Sequence, residues 1–162
     1  MLLILIIPTN SFALIEVDIT RGNLNPLPIA VSPLSIDQDS KKNFEKILKK
    51  KNIGSEISLV IENNLKISGL FNPLNKDAFL QAPDIANLKP RFEDWNLIKA
   101  QALITGKVSF TNEKLRVEFR LWDVLAGKEM MALAFTTVPT NWRRVGHIIS
   151  DKVYDRLTGE KG

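Results

Sequence analysis

ALITGKVSFTNEKLRVEFRLWDVLAGKEMMALAFTTV, residues 102–138, is the stretch on which the fold turns. Successive side chains of a strand point to opposite faces, so Ala102, Ile104, Gly106, Val108 and Phe110 share one side of an extended segment. Thr111, Asn112, Glu113 and Lys114 form a turn. Residues 115–123 then alternate as cleanly. Leu115, Val117, Phe119 and Leu121 point inward, and Arg116, Glu118, Arg120 and Trp122 point outward. A second turn at Ala126-Gly127 leads to a third strand over 129–138. Connections this short join antiparallel neighbours, so the stretch predicts a three-strand meander.

The helices that cover this sheet are written on either side of it. Over 141–157, with Thr140 as the expected cap, Trp142, Val145, Ile149, Val153 and Leu157 make one apolar stripe, and Gly159 ends it. Over 53–69, Ser55 is the expected N-cap and Glu56 lies in the first turn, where the helix dipole favours an anion. Ile57, Val60, Ile61, Leu65 and Ile67 or Ser68 form the expected apolar face, and Gly69 serves the C-terminus. Residues 21–28 carry turn chemistry. Residues 29–34 read as a short buried strand ended by Pro33, and residues 70–74 as an edge strand because Pro73 cannot donate to a ladder. Residues 75–81 read as a helical turn, 82–90 as a loop and 92–100 as a short helix that sends Trp95 and Ile98, with Phe92 and Leu97 as further candidates, to the core. The architecture expected is an α/β (α+β) domain: a mixed sheet with an antiparallel three-strand meander and two main helices on one face, in outline like an anticodon-binding domain.

The start of the chain has a different character. Leu2 to Ile7 are apolar but far short of the ~20 residues that span a bilayer. Ser11-Phe12-Ala13 fits the small-x-small pattern of a secretory cleavage site, although no Lys or Arg precedes it. Residues 1–13 are therefore expected to be a signal peptide without its basic region; the alternative is a buried N-terminal strand. Residues 14–20 alternate as an extended arm would. The remaining length suits one domain, over 26–162. No Cys is present, which excludes disulfides and thiolate chemistry.

The net charge of +4 is local in origin. Residues 41–51 hold six Lys and one Glu, and the rest of the chain is slightly acidic. Such a run is read as a solvated face, with a short helix after Asp39 or Ser40, or as a patch for an acidic partner or lipid headgroups. It lacks the Arg and aromatic interleaving of nucleic-acid readers. No catalytic, cofactor or metal constellation is legible. His147, the one His, faces solvent opposite its helix's apolar stripe, and one His does not make a metal site. Glu93 and Asp94 serve a helix start. Arg116, Glu118 and Arg120 are expected to pair across strands, and Arg143 and Arg144 to find carboxylates elsewhere or meet a partner.

Several segments carry a resemblance: LIEVDITRGNLNPLPIAVSPL, ENNLKISGLFNPLN, RFEDWNLIKAQALITGKV, LRVEFRLWDVLAGKEM and NWRRVGHIISDKVYDRLTGEKG, in that order. The chain resembles the TolB amino-terminal domain family of the Tol–Pal cell-envelope system. The resemblance implies a non-catalytic periplasmic adaptor, exported with a cleaved signal, that serves outer-membrane integrity and envelope constriction during cell division. It implies a β-propeller after residue 162, absent from this chain, as the main site for the lipoprotein Pal. It also implies that the mature arm (Leu14, Ile15, Glu16, Val17, Asp18, Ile19, Thr20, Arg21 and Gly22, with a hinge to residue 25) takes up TolA. Such an arm can add as a strand to a partner's sheet edge, or dock back on its own domain. Residues 38–52 depart from the family's pattern as a local insertion. A nucleic-acid-binding or small-molecule-binding α/β module is the alternative reading.

Overall fold

The computed structural model describes Ile15 and residues 25–50 and 52–160. Its elements are β1 (Leu27–Val31), β2 (Ser35–Ile36), α1 (Gln38–Leu48), α2 (Ile53–Ile67), β3 (Phe71–Pro73), α3 (Pro83–Leu88), α4 (Phe92–Leu97), β4 (Ala102–Thr111), β5 (Lys114–Asp123), β6 (Lys128–Thr137) and α5 (Trp142–Thr158). The sheet runs β3-β1-β4-β5-β6, and β2 also pairs with β4. β1 and β2 lie parallel to β4, whereas β5 and β6 are antiparallel to their neighbours. This is a mixed α+β domain with the expected meander. The 111–114 turn places Asn112 and Glu113 at φ 50° and 58°, the twist that a tight hairpin requires.

The main core lies between the sheet and the pair α2 and α5. The inward residues of β5 are all buried, and so is the whole α5 stripe from Trp142 to Leu157. The other face of the sheet is also covered, over β1 and β4. There Trp95 packs with Ala30, Ala86, Leu103 and Val124. Gln81 holds this smaller layer together. Its Oε1 accepts from the Arg91 amide at 2.9 Å and the Trp95 indole at 3.0 Å, and its Nε2 donates to the Lys89 carbonyl at 2.9 Å.

Seven local expectations are corrected. Ile67 and its alternative Ser68, expected on the core face of α2, are exposed, and so is Leu97, expected to reach the core from α4; Ile67 and Leu97 each stand two residues, about 200° around the helix, from the buried Leu65 and Trp95. Residues 83–88, expected as loop, form α3, because Pro83 occupies the first helical turn where its missing N–H costs nothing. Leu27 and Pro28, expected as turn, belong to β1; the Pro28 carbonyl accepts from Gln101 N–H at 2.9 Å. α2 is capped by Asn52, whose side chain accepts from Ser55 N–H at 3.2 Å, and Ser55 lies inside the first turn. α5 follows a 3-10 turn over Pro139–Asn141, so Thr140 is no cap; Asn141 holds that position without a side-chain bond. The Lys-rich segment is an ordered helix whose cap is Asp37, ahead of both expected residues.

Asp37 and Ser40 fasten α1 to the sheet. Asp37 accepts from Ser40 N–H at 2.8 Å and from the Ser40 hydroxyl at 2.9 Å, while that hydroxyl accepts from Phe110 N–H at 2.8 Å. Phe44 is fully buried and meets Phe110 edge-on, with ring centroids 5.3 Å apart. The Ser40 N–H, above all, holds the Asp37 carboxyl below its ordinary range; partial desolvation opposes this, and the Ser40 hydroxyl and Lys107 assist.

Two substitutions test these points. Asp37→Ala is expected to cost about 1 kcal/mol at neutral pH. Because the folded pKa is lowered, the cap stabilises above the unfolded value of about 4 and is lost as pH falls through the folded value. Urea unfolding of the two proteins should therefore converge in acid. Gly54→Ala would by helix propensity gain about 1 kcal/mol. A Cβ there runs into the Leu34 carbonyl oxygen, which is backbone and cannot step aside, so the net expectation is a loss of about 1–3 kcal/mol, read by the same measurement.

Candidate functional site

Asp123 ends β5 and is 1% exposed, although it is a carboxylate. A buried charge of this kind persists only where its oxygens are hydrogen-bonded. Both are: Oδ1 accepts from Ala126 N–H at 2.8 Å, which closes the β5–β6 turn, and Oδ2 accepts from Ile15 N–H at 3.1 Å, 108 residues away. The Ile15 side chain is half-buried against the main core. One point of the N-terminal segment is thus seated at the end of the sheet where β4 begins, β5 ends and β6 starts.

Of the arm residues singled out in the sequence, Ile15 is described. Leu14, Glu16, Val17, Asp18, Ile19, Thr20, Arg21 and Gly22 lie outside the described residues, as do the proposed signal residues 1–13. Asp123 was not singled out. Its signal was an Asp at a strand end three residues before the N–H it accepts, the side-chain-to-backbone pattern that makes Asp a turn residue.

The other polar groups do structural work. His147 is exposed, and its Nδ1 lies 2.7 Å from Asn64 Nδ2, which also donates to Ser150 Oγ at 3.2 Å; these bonds link α2 to α5. Among the described residues no group of three or more His, Asp or Glu is placed to hold a metal. Arg116 pairs with Glu118 along its own strand at 2.8 Å rather than across strands, and Arg120 reaches Glu129 on β6 at 3.2 Å. Arg143, expected to find a carboxylate, instead stacks on the Trp142 ring, 4.8 Å from its centroid. No helix of the described residues is long and apolar enough to cross a membrane.

Comparison with known proteins agrees with this architecture. The chain is 81% identical over 161 residues to the Tol-Pal system protein TolB of Pelagibacter ubique (strain HTCC1062), a match covering 99% of this chain and 36% of that protein. The chain therefore spans little more than a third of that relative's length. The crystal structure of TolB from Acinetobacter baumannii superposes with a TM-score of 0.65 at 21% identity, over 91% of this chain and 32% of that one, and so shares the fold. Residues 15–130, most of the chain, match the TolB amino-terminal domain. The chain belongs to the TolB amino-terminal domain family.

Proposed function

We propose that this chain is the non-catalytic, partner-binding domain of a periplasmic adaptor in the Tol–Pal envelope complex, with the arm Leu14–Gly22 as the element that takes up TolA. Residues 1–13 act as its export signal. Pal is engaged mainly by a propeller that these 162 residues do not contain, so this chain alone binds Pal weakly or not at all. The observation that carries the reading is the seat of Ile15 at Asp123. A main-chain N–H held by a carboxylate can be released and re-bonded to another sheet edge, since strand addition draws on the same backbone groups. Docking on the domain and capture by a partner then compete, and each population is set by the difference in their free energies.

Two variants, read by calorimetric titration with TolA, test this. Val17→Pro removes a backbone donor from the arm and should abolish binding; unchanged affinity would sink the proposal. Asp123→Asn keeps Oδ1 for Ala126 but replaces the acceptor of Ile15 with an amide that cannot accept. Its expected effect is tighter TolA binding, by up to about tenfold if the lost bond is worth about 1.5 kcal/mol.

A further inference from the structure

The Lys-rich segment forms the expected short helix, α1, and the structure places other cations beside it. Ser40 and Phe44 are buried, which fixes the rotation of α1 and turns Lys42, Lys46 and Lys49 outward. Lys42 and Lys46 stand at i and i+4 on one side of the helix, and the exposed Lys49 follows as its left-handed C-cap. α1 packs against the Pro139–Asn141 turn that leads into α5, which brings Arg143 and Arg144 to the same end of the molecule. Lys50 and Arg143 both lie over the ring of Trp142, at 5.0 Å and 4.8 Å from its centroid. Each is attracted by the ring, but the two repel one another. Glu56 offsets part of this by pairing with Lys50 at 3.3 Å. The acidic residues of α1 are Asp39, in its first turn, and Glu45. Among the described residues Lys42, Lys46, Lys49 and Arg144 make no ion pair. Leu59, 48% exposed, lines a shallow groove between α1 and α2 with Lys49, Lys50 and Glu56.

We propose that this face docks on an anionic phospholipid surface. The cations are spread along about 10 Å of helix axis, from Lys42 to Lys49, on the outside of a helix rather than in a cavity. That array matches a sheet of headgroup phosphates better than one small anion. Leu59, exposed beside Lys49 and Lys50, suits the boundary of headgroups and acyl chains, where an amphipathic surface gains from both terms. Lysine point charges on α1, without Arg forks or exposed aromatic rings, do not make the stacking platform of a nucleic-acid groove. The face lies at the end of the sheet where β4 finishes, because Ser40 bonds Phe110. Asp123 lies at the other end, opposite Ala102. Lipid docking therefore leaves the Ile15 seat open and does not depend on the TolA reading.

Vesicle flotation of the whole chain tests it. Vesicles of phosphatidylcholine alone report whatever the apolar residues 2–7 contribute; vesicles containing phosphatidylglycerol report the charge. The expected result is partition into the anionic vesicles that falls as salt is raised. In Lys42→Gln/Lys46→Gln/Lys49→Gln it drops about a hundredfold, roughly fivefold per cation removed. All three positions are exposed, and an unchanged circular dichroism spectrum verifies the fold. Equal partition of the two proteins overturns the proposal. So does a wild type that binds polyglutamate but shows no preference for anionic vesicles, since an acidic protein would then be the partner.

Discussion

Everything in this domain is registered on β4, which must satisfy hydrogen bonds along both of its edges. On one side it takes β1 and β2 in parallel, and on the other β5 antiparallel over all ten residues from Ala102 to Thr111. A strand so placed has no solvent edge, and its first half is buried on both faces: Ala102 and Ile104 enter the main core and Leu103 the smaller one. Gly106 belongs to the same constraint. A side chain there would run into the Glu118 carbonyl and Leu34, so β5 and the β1–β2 connection can approach only because that position is bare.

Buried polar contacts then position the helices against this sheet. Ser58, fully buried in α2, accepts from Leu34 N–H at 3.0 Å and lies 3.1 Å from the Ser32 carbonyl. It binds the helix to the backbone that leaves β1. Ser40 does the same for α1 at the far end of β4. Unpaired, each of these groups would cost the desolvation of a polar atom, so the network favours one arrangement over near alternatives. Gly146 lets α5 lie close on α2, since a Cβ there would come within 2.8 Å of Val60 Cγ1.

The two ends of β4 consequently have different chemistry. At its start, a buried carboxylate gathers backbone N–H groups from a turn and from Ile15. At its finish, a helix fastened by Asp37, Ser40 and Phe44 presents lysines outward. The ten-residue strand holds these ends about 30 Å apart, so the seat of Ile15 and the basic face of α1 are too far apart to obstruct each other.

The sequence alone determined whatever repeats at short range. Alternation in 102–138 specified three strands and the face that β4 and β5 turn to the main core, but not the second buried face of β4 at Leu103, and the 3.6-residue stripe specified α5 from Trp142 to Leu157. The caps were displaced by one to three residues, because Asn52 and Asp37 compete with Ser55 and Asp39 for the same role and only the helix ends reveal which one wins. Residues 83–88 read as loop because Pro83 looks the same before a helix as within a turn. The candidate site was half legible. The arm's alternation was visible, but the carboxylate that receives Ile15 N–H is 108 residues away, and no local period links a backbone amide to a distant Asp. The basic face was legible as charge and illegible as a surface, since its facing depends on Phe44 finding Phe110 and on Trp142 lying beside Lys50. Periodicity records which side of an element is buried; what two elements bring to one another is decided by their packing.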